Sequence, residues 1–200
     1  MHKIKGRFCY IEEIIDNNDV KELFNLIKDH EKDYRYLISD QQIPTQYEDF
    51  LKVFNEWFTY GRNYQFLVRK KGKDITEKGE IVGTIFFYGW DKERKTVKIS
   101  AYFIPEARKT SLIAESLGLA ISFALKIMKV EKVEFDVYEE NKEMLQFLQK
   151  ERELKKYINK LGESKSKVNP ERTVINFEIS LKGLKEIDER LREFYKIKPR

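Results

Sequence analysis

At 200 residues, with 41% hydrophobic and 14% aromatic content, the chain has the material for one packed domain, which excludes a disordered segment and a small disulfide-stapled scaffold. Its net charge of +5 comes from 39 basic and 34 acidic residues that alternate along the chain, a pattern that argues against nucleic acid as a partner and suits a pocket for an anionic cofactor. Cys9 is the single cysteine, so no internal disulfide or cysteine metal site is available, and His2 and His30 are too few and too scattered for a zinc cluster.

Residues 7–15 are rich in β-branched and aromatic side chains and predict a first strand. Asn17, Asn18 and Asp19 then supply a turn and a cap. Leu23, Phe24 and Ile27 repeat at helical spacing after Val20. A second helix is expected after the capping-box pair Thr45 and Glu48, with Phe50, Leu51, Phe54, Trp57 and Phe58 on its apolar face. Beyond Gly61 the period changes to that of strands: 64–69, 80–88 and 96–104 read as an antiparallel meander ended by Pro105. A long helix follows from about Thr110. Its apolar stretch 111–128 is interrupted by Glu115 and Lys126, so it reads as a buried helix and not a membrane span. No basic segment followed by an apolar one opens the chain, and a soluble cytoplasmic protein is the expectation. A strand at 132–138, a helix from about Asn141 that either breaks near Glu151 or continues through Lys160, a polar loop at 162–170, a strand at 173–181 and a helix at 184–194 complete the pattern. One mixed α+β domain covering 1–200 is expected, with its core at about 7–181 and an extra C-terminal helix over 182–200.

The densest chemistry lies between Thr96 and Asn141. A strand that ends at Pro105, followed by Arg108 and Lys109 and then a helix start, offers backbone N–H groups and the positive end of a helix dipole to a phosphate. The stretch Lys98-Ile-Ser-Ala-Tyr-Phe-Ile-Pro-Glu-Ala-Arg108, continued in Glu115-Ser-Leu117 and in Val133-Glu-Phe-Asp-Val-Tyr-Glu-Glu-Asn141, resembles the GNAT superfamily of acetyl-CoA-dependent N-acyltransferases. Gly83 also stands where that family often has a glycine. The resemblance spans roughly 7–181 and implies a mostly antiparallel mixed sheet flanked by helices. It implies acetyl-CoA (coenzyme A) as co-substrate and transfer of an acyl group to a primary amine by direct attack.

Carried over residue by residue, the resemblance assigns cofactor binding to Phe103, Ile104, Arg108, Lys109, Thr110, Ser111, Leu112, Ile113 and Asn141. The family loop Arg/Gln-x-x-Gly-x-Gly/Ala aligns with 108–113. Arg108 is kept, but Ser111 and Ile113 replace both glycines. Ile113 also shares a helical stripe with Leu117, Ile121, Leu125 and Met128, which would turn it to the core. A backbone N–H near Phe103 or Ile104 is implied as the donor to the developing oxyanion. The tyrosine that many members carry after the Asn would fall at Leu148. Tyr157, in Tyr157-Ile-Asn-Lys-Leu-Gly162, is a displaced candidate, and Tyr102 and Tyr138 complete the candidate catalytic set. Glu115 reads as a first-turn acid suited to the helix dipole, and Glu134 and Asp136 as one face of their strand.

The acceptor is a small-molecule or peptide amine, expected at the 39–47 loop and the 57–60 aromatic cluster, where Asp40, Glu48 and Asp49 would suit a cation. Two other readings stand beside this one. The lost glycines and Leu148 fit a non-catalytic acyl-CoA or acyl-carrier binding module. Lys155, Lys156, Lys160, Lys165 and Lys167 would form a nucleic-acid patch, but Glu151, Glu153 and Glu163 dilute it. The face made by Leu184, Ile187, Leu191 and Phe194 is expected to pack on its own domain or on a second copy as a homodimer.

Overall fold

A computed structural model describes residues 2–29, 44–59, 62–72, 78–108, 110–150, 155–166 and 170–195. The expectations for Lys109, for residues 39–43 of the acceptor loop and Tyr60, for the side chains of Trp57, Phe58 and Phe194, and for Glu151, Glu153 and Lys167 fall outside the described residues.

The chain runs β1 (Lys3–Lys5), β2 (Cys9–Glu13), α1 (Asn17–Asp29), α2 (Tyr47–Thr59), β3 (Arg62–Lys70), β4 (Ile81–Asp91), β5 (Thr96–Phe103), a 3-10 turn (Pro105–Ala107), α3 (Ser111–Lys126), β6 (Lys132–Tyr138), α4 (Lys142–Lys150), β7 (Ile158–Lys165), β8 (Thr173–Ser180) and α5 (Leu181–Tyr195). The strands form one eight-stranded sheet in the order β1-β2-β3-β4-β5-β6-β8-β7. Every pairing is antiparallel except that between β5 and β6.

Two strands depart from the sequence-based expectation. The first strand is a hairpin, with β1 folded back on β2 through a turn at Gly6 whose N–H donates to the Cys9 carbonyl. Residues 162–165 of the polar stretch expected to be a loop (162–170) belong to β7, an edge strand with only half-buried and exposed residues. Such a strand needs no apolar face to find its partner, because the β8 backbone supplies its ladder. The cap of α1 also differs: it is Asp16, whose carboxylate accepts the Asn18 and Asp19 N–H groups.

The sheet separates two helical layers. On one face, the α3 ring of Phe123 meets Tyr64, Phe66 and Phe87 at centroid separations of 4.9, 5.0 and 6.0 Å. Helix α5 packs on α3 there: Leu184, Ile187 and Leu191 are buried, Leu191 lies on Gly118, and Asp188 pairs with Lys126 at 2.9 Å. Leu184, Ile187 and Leu191 of the C-terminal helix are thus covered within its own domain. On the other face, α1 and α2 join through Phe24 and Phe50, and buried Arg69 ties Glu12 of β2 to Glu22 of α1.

Glu115, expected as a first-turn acid suited to the helix dipole, lies beyond the first turn of α3 and is wholly buried. Its carboxylate accepts the N–H groups of Arg7, Phe8 and Cys9 and so locks the β1–β2 hairpin onto the helix. Burial, and next the charge of Glu115, push the Cys9 thiol far above its ordinary range, so Cys9 is a core residue and no nucleophile.

Candidate active site

The sheet opens at its one parallel pair. β5 and β6 are hydrogen-bonded partners only at Thr96 with Lys132, Val97 with Val133 and Lys98 with Glu134. Beyond that point β5 stays with β4 as far as the Gly83–Phe103 rung, and β6 stays with β8 as far as Tyr138–Val174. Each strand keeps its antiparallel neighbour, and the two diverge into a V-shaped splay. Gly83 helps set the line of β5, since a Cβ there would overlap the Tyr102 carbonyl and the Phe103 ring.

Alternation along β5 decides what the splay offers. The Ile104 N–H donates to the Val82 carbonyl at 3.0 Å, so the amide expected as one of two oxyanion donors is already bonded to β4. In an antiparallel ladder the neighbouring residue turns its N–H and C=O to the opposite side. Phe103 therefore turns both groups toward the splay, as does Ala101.

Side chains alternate through the sheet plane in the same way. Ser100 and Tyr102 lie on the face of α1 and α2, together with Glu134, Asp136 and Tyr138 of β6. The offset that pairs Lys98 with Glu134 carries Tyr102 onto Tyr138, so the two tyrosines stand at equivalent positions on the two arms. Tyr102 is buried and has the Arg108 guanidinium 5.9 Å from its ring centroid. Tyr138 has that of Arg172 at 3.6 Å and its hydroxyl 3.4 Å from Ser166 Oγ. Sequence reasoning missed Arg172. It reaches the site from the β7–β8 connection, held by Glu140, and no local motif marks it. On the same face Asp136 pairs with Lys98 at 2.9 Å. Burial, and then the charge of Asp136, push the Tyr88 phenol well above its ordinary range.

The helix start beside the splay is largely satisfied from within. Thr110 caps α3: its hydroxyl accepts the Leu112 N–H and donates to the Ala107 carbonyl. The N–H groups of Arg108 and Thr110 donate to Pro105 and Ala107. Ser111 is exposed. Ile113, with Leu117 and Leu125, is half-buried and packs against the core, in line with the stripe that includes Ile121 and Met128. The Arg108 side chain extends to the splay, where its Nε donates to the Phe103 carbonyl at 3.0 Å and its Nη1 lies 4.0 Å from the Glu143 carboxylate.

Across the cleft, Asn141 caps α4. Its carboxamide oxygen accepts the Met144 N–H at 3.2 Å, which leaves its NH₂ as the group it can offer a ligand.

Tyr157 is placed differently from expectation. α4 is described over Lys142–Lys150, residues 151–154 lie outside the described residues, and Tyr157 stands in the turn directly before β7. Its neighbour Ile158 pairs with Ile179, which pairs with Val133 at the start of β6, whereas Tyr138 pairs with Val174. The separation along the sheet is roughly 16 Å at about 3.3 Å per residue. The Tyr157 hydroxyl donates to Glu186 at 2.6 Å. A cavity of about 370 Å³ bordered by Lys156, Lys182, Glu186 and Arg190 opens there, away from the splay. Leu148 is buried. Of the lysines in the basic stretch, Lys160 is paired with Glu163. No cluster of metal-ligating side chains occurs among the described residues, and none of their helices is long and apolar enough to cross a membrane.

A mixed sheet that opens at its parallel pair, beside the start of a helix, defines an acetyltransferase type of fold. The model of the Acetyltransferase (GNAT) domain matches residues 11–151, and the chain belongs to that family. The fold is also that of a GCN5-related N-acetyltransferase from Brucella melitensis, with a TM-score of 0.75 and 15% identity over 97% of this chain and 85% of the other. A spermidine N-acetyltransferase from Vibrio cholerae, solved with CoA and spermine, superposes with a TM-score of 0.68 and 10% identity over 88% of this chain and 97% of the other. No curated protein matches the sequence.

Proposed function

We propose that this GNAT protein transfers an acetyl group from acetyl-CoA to a primary amine by direct attack within a ternary complex. The observation that carries the proposal is the β5–β6 splay, whose arms turn the Phe103 amide inward on one side and Asn141 on the other. The splay suits the amide-rich pantetheine arm, with Arg108 and the 110–113 helix start toward its phosphates. Acetyl-CoA supplies the activated carbonyl. The Phe103 N–H is the donor that steadies negative charge on that oxygen as the amine adds. Tyr102 and Tyr138 face the acceptor side. There Tyr102 orients the amine and the Tyr138 hydroxyl protonates the departing thiolate. The amine's proton leaves to solvent on the α1–α2 face. The Vibrio neighbour's spermine supports a small polyamine as the first acceptor class to try.

The alternative, a non-catalytic acyl-CoA binding protein, is favoured by one feature, the internally bonded helix start at Thr110. A thermal-shift titration with acetyl-CoA and free CoA, followed by turnover assays with an amine panel that includes spermidine, separates the two. Ligand at a hundred times its Kd adds about 2.7 kcal/mol, or several degrees for a chain of this size. Binding with release of free thiol supports transfer. Binding without turnover on any amine supports the alternative. No shift with either ligand at millimolar concentration removes both.

A further inference from the structure

Arg108 touches both sides of the splay, and the contact it makes on β5 uses a group that a ligand would need. The Phe103 carbonyl is turned away from β4 by the alternation of the ladder, so it is one of the acceptors that the open arm of β5 offers. In this structure that carbonyl accepts the Arg108 Nε–H at 3.0 Å. The same guanidinium lies 4.0 Å from Glu143, in the first turn of α4 on the opposite side, and 5.9 Å from the Tyr102 ring centroid. One planar cation therefore spans the opening from β5 to α4.

We propose that Arg108 makes the cleft selective for phosphate-bearing thioesters, because its guanidinium occupies the Phe103 carbonyl until a phosphate draws it away. An extended amide chain that enters the splay has an N–H to donate and competes with Arg108 for this acceptor. A ligand without phosphate must displace a cation from its hydrogen bond and from its carboxylate neighbour, and it gives the cation nothing in exchange. A ligand with a pyrophosphate at the α3 start offers that cation a stronger, charge-assisted partner, and the carbonyl is released as Arg108 turns. The two events are linked, so each favours the other. This reading rests on the acyl-CoA proposal above and adds to it a rule of substrate choice: acyl-CoA is accepted, and acyl-pantetheine, the same arm without its phosphates, is refused.

The test compares the binding of CoA and of pantetheine, by calorimetry and by ligand-observed NMR, to the wild type and two variants whose folding is checked by thermal melt. Arg108→Met keeps the aliphatic stem and removes both the donor and the charge. Arg108→Gln places its Nε2 at the same chain position as the arginine Nε, so it can keep the carbonyl occupied while losing the charge. Both variants are expected to bind CoA roughly ten- to a hundredfold more weakly, the worth of a charge-assisted contact. For pantetheine they part company. Arg108→Met is expected to bind it about three- to tenfold more tightly than the wild type, the worth of one freed amide acceptor, and Arg108→Gln to match the wild type. An unchanged or weaker pantetheine affinity in Arg108→Met overturns the proposal, as does an equal gain in both variants. Wild-type protein that binds neither CoA nor pantetheine would sink the acyl-CoA reading itself, an outcome distinct from failure of the Arg108 rule alone.

Discussion

The two blocks of the sheet on either side of the β5–β6 seam are built differently, and the seam opens because of it. The first block, β1 to β5, is a continuous antiparallel run locked from several directions: the aromatic cluster around Phe123, the buried Arg69 network, and Glu115 holding three amides of the β1–β2 hairpin. The second block has three strands, β6, β8 and β7. It rests on Phe135 stacked against Phe177 at 5.2 Å and on α5, and ends in a polar edge strand. Each block satisfies its own backbone up to the seam, and only the residues from 96 to 98 and from 132 to 134 join them. A binding cleft arises where two internally complete blocks share a short ladder, without any loop being needed to form it.

The hardest way to disturb this contrast is at Glu115. Glu115→Ala leaves buried N–H groups of the first block without an acceptor, at about 1–3 kcal/mol each, and an overall loss of about 4 kcal/mol is expected in urea unfolding. Glu115→Gln can still accept with one oxygen and should lose less. Next is Gly83→Val, which forces β5 away from β4. Overpacking of this kind costs about 1–3 kcal/mol, and because it moves the arm that bears Phe103, CoA binding should fall beyond what stability explains.

Phe177→Ala tests the second block. Its ring is half-buried, so a loss of about 2 kcal/mol is expected, below the range for a wholly buried phenylalanine. Hydrogen exchange should then rise in β6, β8 and β7 while the Phe123 cluster stays protected. If protection falls equally throughout, the blocks are one cooperative unit. Asn141→Ala removes the α4 cap at a cost of about 1 kcal/mol, and CoA binding that falls by more than this loss explains would assign the carboxamide to the ligand as well.

The smallest effect is that of pH on the first block. Burial raises the carboxyl groups of Glu12 and Glu22, but the bonds from Lys3 and Arg69 to the former and from Lys78 and Arg69 to the latter outweigh it and hold both below their ordinary value. Folded-state values lower than unfolded ones give stability that is present above the ordinary glutamate range and is lost as pH falls through it. Unfolding at pH 7 and at about pH 4 should therefore differ less in Arg69→Met than in the wild type, an outcome checked by paired urea melts.

Much of this was legible in the residues because period and caps are local. The β6 strand, the meander and the start of α3 at Thr110 follow from alternation, from Pro105 and from capping chemistry, and the Lys98-to-Asn141 stretch carried the family resemblance that the family model bears out. β1 and β7 were not legible, since a short hairpin strand and a polar edge strand bury too little to leave a period. The Tyr-x-x-x-Gly spacing gave no sign that Tyr157 stands directly before a strand, with its hydroxyl turned to Glu186.

What the sequence by itself determined is the order of elements, their apolar faces and the family, because each depends on residues a few positions apart and on the free energy of burying one face. Only the tertiary structure decided which backbone groups of β5 are used by β4 and which face the cleft. It alone set Tyr102 opposite Tyr138, placed Arg172 on the latter's ring and laid Arg108 across the opening. These depend on register between strands far apart in the chain, and a shift of one residue would turn every one of those groups to the other side.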